Sequence, residues 1–145
     1  MTQWIKTSVR FDKIMENGAV KKVTEPYLVD ALSFTEAEAR IIEEVTPFIS
    51  GDFTVSAVKK SKISEIFRDN SGDKWYLVKV AFITIDERTG AEKRSVSQIL
   101  VQANDFANAV ENFNDGMNGT LADFEIVSVA ETPIMDVFNA KLDEE

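Results

Sequence analysis

WIKTSVRF, residues 4–11, returns as WYLVKVAF, residues 75–82, and the echo continues for about sixty residues. Trp4, Val9 and Phe11 stand 71 positions before Trp75, Val80 and Phe82. Leu28, Val29, Ala31, Phe34 and Ala37 stand 72 positions before Leu100, Val101, Ala103, Phe106 and Ala109. Past that segment the offset returns to 71: Phe53, Val55 and Val58 match Phe124, Ile126 and Val129, and Ile63, Glu65, Ile66 and Phe67 match Ile134, Asp136, Val137 and Phe138. Two one-residue length differences, both in expected loops, account for the drift. So long a period fits duplication of one supersecondary unit rather than a solenoid of short repeats.

Within each copy the apolar pattern changes from period two to helical spacing and back. Ile5, Thr7, Val9 and Phe11 alternate with Trp4, Lys6, Ser8 and Arg10, which predicts a strand with two distinct faces. Asn17-Gly18 then signals a tight hairpin, because both residues tolerate positive φ, and Asp86 to Gly90 does the same with one more residue. The second strands end in PYLVDA and QILVQA, apolar on successive residues, so both faces are at least partly covered there. Pro26 lacks a backbone donor and predicts an edge or a bulge at that point. Ser33 with Glu36, or Thr35 with Glu38, starts a helix whose stripe is Phe34, Ala37, Ile41 and Val45, and Pro47 stops it. Its counterpart starts near Asn104 or Asp105, carries Phe106, Ala109, Val110, Phe113 and Met117, and ends at Asn118-Gly119. FTVSAV and FEIVSV read as third strands; ISEIF and IMDVF after them read as either an extra edge strand or a helical turn.

The resulting expectation is an α+β fold: two ββαβ units, mainly antiparallel sheet, with two helices packed on one face. Residues 1–145 form a single compact domain in this reading, with repeats over about 4–67 and 75–138 and a turn-like joint at 68–74. Halves of this size are marginal alone, so a shared core is expected.

Composition limits the chemistry. The 145 residues contain no cysteine and no histidine, which removes disulfides, thiolate zinc sites and the usual Ser-His-Asp and Cys-His machinery. No apolar run approaches a membrane span and MTQWIK is not a leader, so a cytoplasmic protein without membrane association is expected. The net charge is −9, divided unevenly: residues 1–70 carry 10 basic and 11 acidic side chains, residues 71–145 carry 6 and 14. Such a chain repels phosphate backbones on average, although Lys59, Lys60 and Lys62 cluster in the first copy and Asp143, Glu144 and Glu145 form an acidic tail.

No residue pattern specifies a reaction. Asp69, Ser71 and Asp73 resemble the start of a calcium loop, but Gly72 precedes the last acid and the twelfth position is Val80 instead of a bidentate Glu. Glu36, Glu38, Glu43 and Glu44 spread over the solvent side of a helix. Glu65 and Asp136 occupy equivalent positions, and a carboxylate-based hydrolase would need them in one cleft, where one would be held protonated. Outward-pointing strand residues explain them equally well. Asn118-Gly119-Thr120 matches a glycosylation sequon but reads as a helix stop.

The remaining candidate is a surface. Trp4, Lys6 and Arg10 share the predicted outer face of the first strand, as Trp75 and Lys79 do in the second copy. Aromatics interleaved with cations on a sheet suit single-stranded nucleic acid, with Lys59, Lys60 and Lys62 as further phosphate contacts. A Trp opening a strand equally seals a core or a protein interface, and the acidic balance favours a protein partner, a second copy of the chain included.

KVTEPYLVDALSFTEAEARIIEE, residues 22–44, with MENG before it and ISG, GAEK, LVQA and FEIVSVAET after it, resembles an uncharacterised domain-of-unknown-function family. The resemblance covers nearly the whole chain. It implies small proteins of gut anaerobic bacteria and their phages or mobile elements, brings no catalytic residue, metal or cofactor, and adds some weight to a nucleic-acid role. The function expected from the sequence is a non-catalytic binding or protein-interaction module. Its alternative is a single-stranded nucleic-acid-binding accessory protein.

Overall fold

A computed structural model describes residues 3–140; the acidic tail of Asp143, Glu144 and Glu145 lies outside the described residues. In chain order the elements are β1 (Gln3–Ile14), β2 (Val20–Ala31), α1 (Phe34–Val45), β3 (Phe53–Lys60), β4 (Ile63–Phe67), β5 (Lys74–Ile85), β6 (Glu92–Ala103), α2 (Phe106–Gly116), β7 (Asp123–Thr132) and β8 (Asp136–Phe138). The two undecided segments are thus strands.

The expected α+β duplication of a ββαβ unit is corrected by this arrangement. The protein is mostly β, 54% strand against 17% helix. It has two four-stranded sheets, ordered β3-β1-β2-β8 and β4-β6-β5-β7. The two helices therefore do not share one sheet face; each packs on a sheet of its own. The strand that ends each copy leaves it: β4 pairs in parallel with β6, and β8 pairs in parallel with β2. Each sheet thus holds three strands of one copy and takes its fourth strand from the other copy, so neither sheet is built from one repeat alone. Local periodicity marks a segment as extended but does not say which distant edge its backbone will join.

The residues group into two compact units. Unit one holds the described residues through Ser61 together with those from Pro133 onward, and unit two runs from Lys62 to Thr132. In unit one, Ala37, Ile41 and Val45 project from α1 at four-residue intervals onto Ile5, Val9, Val29 and Ala31. That spacing keeps the stripe on one face of the helix. Thr7, also buried, satisfies its hydroxyl by donating to the Tyr27 carbonyl at 3.2 Å. Unit two repeats the plan with bulkier residues: Phe113 stands where α1 has Ile41 and Met117 where it has Val45, packed on Val78, Val80, Ile99 and Val101.

The helix starts are also duplicated. Ser33 Oγ accepts from the Glu36 amide at 3.1 Å while Glu36 Oε1 accepts from the Leu32 amide at 3.3 Å. In the second copy Asp105 Oδ1 accepts from the Asn108 amide at 2.8 Å and Asn108 Oδ1 from the Asn104 amide at 3.0 Å. In each pair one bond satisfies an amide of the first helical turn and the other ties the helix back to the amide just before its N-cap. The first hairpin closes through Gly18 at φ 84°, a left-handed conformation that glycine adopts without steric cost.

Pro26 stands where β2 gains its second neighbour. The Met135 amide donates to the Pro26 carbonyl at 2.8 Å, and the β8 ladder runs from Tyr27 to Val29. Over Val20–Glu25 the same edge of β2 has no strand beside it among the described residues.

Candidate functional site

The residues singled out from the sequence do not form one surface. Trp4, Lys6 and Arg10 do share the face of β1 turned away from α1, but Trp4 is half-buried. Lys6 faces Leu28 across the ladder and Leu28 faces Val137, both buried, so apolar packing interrupts that face. Trp75 is only 3% exposed, with the Arg68 guanidinium 5.8 Å from the ring centroid. A ring so enclosed offers no free face to a base. Lys79, on the same strand, is exposed opposite Gln98 and Ser128.

Lys59 is exposed and directly opposite Lys6, Lys60 is exposed opposite Ile5, and Lys62 is exposed at the start of unit two. Among the described residues none of these lysines, nor Arg10, pairs with a carboxylate. Glu65 is exposed on β4 in unit two and Asp136 is exposed on β8 in unit one. Asp69 Oδ1 accepts from the Ser71 hydroxyl at 2.6 Å and the Ser71 amide at 3.0 Å, and Asp69 Oδ2 accepts from Asn112 at 2.9 Å. Those donors hold its carboxyl below the usual carboxylate range and tie the 68–73 turn to α2. Among the described residues no group of acidic side chains is arranged to hold a metal ion.

Unit one instead contains a cleft of about 450 Å³ beyond the C-terminal end of α1, lined by Phe11, Ile14, Glu25, Tyr27, Phe48 and Met135 among others. Its rim is apolar and open to solvent: Phe48 is 85% exposed, Ile14 74% and Met135 50%. A second hollow of about 410 Å³ on the same unit is polar, and there Arg10 and Lys22 are offset by Asp12 and Asp52.

The elements that build the cleft follow from the sequence. Glu25 faces Val9 across the β1/β2 ladder, so alternation places it on the α1 side of the sheet among apolar neighbours. Tyr27, two residues on, shares that side and stacks on Phe138 of β8 with centroids 6.0 Å apart. The chain after α1 brings Phe48 and Ile49 over the same region, and the stretch entering β8 adds Met135.

At the polar centre of the cleft, Tyr27 Oη donates to Glu25 Oε1 at 3.2 Å and Lys13 Nζ lies 3.7 Å from Glu25 Oε2. Burial, the Glu25 charge and hydrogen bond, and the Asp136 charge push the Tyr27 hydroxyl up to about 12 from 10.0. A raised value stabilises the protonated form in the folded state, so its contribution is complete below pH 10 and is lost as the pH rises through about 12. Denaturant midpoints of the wild type are expected to fall across that window, alongside tyrosinate absorbance. In Tyr27→Phe that part of the fall should be missing; an identical pH profile would refute the assignment.

None of Lys13, Glu25, Tyr27, Phe48 or Met135 was singled out from the sequence. One signal was available in the repeat: the second copy has Ser97 where the first has Glu25 and Ile99 where it has Tyr27, so the polar pair belongs to one copy alone.

A protein family described as a domain of unknown function (DUF4494) matches residues 3–140. No curated protein and no solved structure matches the chain.

Proposed function

Because the chain belongs to the DUF4494 family, a domain of unknown function, we propose a role drawn from its cleft: a non-catalytic module that binds a protein partner through unit one. The observation that carries this reading is the grouping of exposed Ile14, Phe48 and Met135 around one concavity. Large apolar side chains scattered singly over a surface need no explanation, but several rimming one cleft mark a site that a partner covers. The mode of binding has an internal precedent, since Asp136–Phe138 already docks on β2 as an extended strand and Met135 just before it lines the cleft. A short extended segment of a partner is therefore the occupant that fits.

Selection from a displayed library of random peptides tests this. The wild-type protein is expected to enrich peptides that Phe48→Asp loses by roughly tenfold or more, an apolar anchor being worth about 1.5–3 kcal/mol. Phe48 is exposed, so the variant should keep the wild-type Tm. A selection with no enrichment over the variant ends the proposal.

The second reading is single-stranded nucleic acid, and the observation favouring it is Lys6 opposite Lys59 without a carboxylate partner, since like charges facing each other across a ladder are unfavourable unless an anion neutralises them. An origin among phages or mobile elements of gut anaerobes would suit that role. Titration of labelled oligonucleotides at two salt concentrations separates the readings, because phosphate binding weakens steeply with salt. Salt-independent signals would discard it.

A further inference from the structure

Building on the interaction reading, we propose that the cleft recognises a basic side chain, the ammonium of a lysine or the guanidinium of an arginine in the partner segment, with Glu25 as its counter-charge. A carboxylate offers about four acceptor sites. Glu25, with a side chain only 15% exposed, receives one hydrogen bond, from Tyr27 to Oε1. Among the described residues Oε2 is approached only by Lys13 Nζ at 3.7 Å, an ion pair longer than a hydrogen bond. Glu25 therefore presents a negative charge to the apolar cleft with acceptor directions that no protein group among the described residues takes, and a ligand's charged N–H donor is the chemistry that complements it.

Lys13 is a weak occupant of that role. Its side chain is half-exposed and its residue faces Lys21 directly across the ladder, so repulsion opposes its placement. Lys21 lies four residues from Glu25 along β2, about 13 Å, beyond the screening length of about 8–10 Å at ordinary ionic strength. Asp136, whose charge reaches Tyr27, adds negative potential against Lys13, whereas Asp12 faces Lys22 across the ladder and is offset by it. The walls suit the rest of such a side chain: Phe48, Ile49 and Met135 can cover a methylene stem, and the rings of Tyr27 and Phe48 offer faces to a cation. The second copy has Ser97 and Ile99 at the positions of Glu25 and Tyr27, so unit two provides an internal control that lacks this pair.

Three synthetic probes decide the matter: acetyl-Leu-Lys-Leu-amide, the same peptide with norleucine, and the same with glutamate, each titrated while the amide resonances of Phe11, Glu25, Tyr27 and Phe48 are followed. The lysine peptide is expected to bind roughly two- to fivefold tighter than the norleucine peptide, the range of a partly exposed ion pair. Glu25→Gln should reduce it to the norleucine level. Lys13→Gln should tighten lysine binding a few fold, an outcome that loss of structure would not produce. Equal binding of lysine and norleucine, stronger binding of the glutamate peptide, or no shift with any of the three overturns the inference. The interaction reading would survive those results, because it falls only if the library selection fails.

Discussion

Phe113→Ala is expected to cost about 3–5 kcal/mol, the range for truncating a fully buried aromatic, and to lower Tm on the order of 10 °C. Phe113 is completely buried and joins α2 to β4, β5, β6 and β7. Its ring lies 6.1 Å from Phe67 of β4 and 5.9 Å from Phe124 of β7 in an edge-to-face arrangement, and it belongs to the cluster of Val78, Val80, Ile99 and Val101. At Gly116, one turn later, the helix already lies so near Phe67 that an added Cβ would stand 2.5 Å from its ring, which leaves little room for the helix to close the cavity by moving toward β4. Native-state hydrogen exchange should show the loss first in amides of Lys62–Thr132. A cost below about 1 kcal/mol would mean that the site collapses around the smaller side chain.

Gly72→Ala should cost about 2–3 kcal/mol, through overpacking rather than a cavity. A Cβ at residue 72 would stand 2.7 Å from both Cα and N of Ala103, backbone atoms of β6 that no rotamer can move aside. The turn cannot swing outward without breaking its fastenings. The Gly72 carbonyl accepts from Gln102 Nε2 at 3.1 Å, Gln102 Oε1 accepts from the Asp69 amide at 3.0 Å, and Asp69 is held by Asn112 of α2. Chemical denaturation measures the effect directly. The companion Gln102→Ala should be milder, since it removes hydrogen bonds at a half-buried site without forcing backbone apart. If Gly72→Ala were neutral, the close approach to Ala103 would not be a constraint on the turn.

Much of the local structure could be read from the sequence because it depends on neighbours along the chain. Asn17-Gly18, the Ser33 and Glu36 pair, and most of the α1 stripe are decided within a few residues, and the structure has them as hairpin turn, helix cap and core face through Ala37, Ile41 and Val45; Phe34, expected in the same stripe, and its counterpart Phe106 are instead exposed at the first helical position. The destinations of β4 and β8 were not legible. Each is a short strand whose value lies in backbone pairing with an edge far away in sequence, Ile63–Phe67 with β6 and Asp136–Phe138 with β2, and side-chain pattern carries no record of that choice. The Trp pair illustrates the limit for sites. Trp4 and Trp75 are equivalent in the repeat, yet one is half-buried and the other enclosed beside Arg68, because burial is set by what packs on the residue. Glu25 and Tyr27 looked like ordinary strand residues until their register put them on the α1 side with Phe48 and Met135.

The exchange of end strands bears on how the chain folds in time. Unit two is one continuous stretch, Lys62–Thr132, so all four strands of its sheet are available once that stretch has been made. Unit one is discontinuous, and β2 must wait for residues more than about a hundred positions later before Tyr27, Leu28 and Val29 gain their second neighbour. Joining ends so far apart carries the larger loop-closure entropy, which topology-dependent folding rates reflect. β8 is also the last of the described strands in chain order, so in a chain made from its N-terminus the Met135 side of the cleft and its Phe138 backing are the last parts to become available.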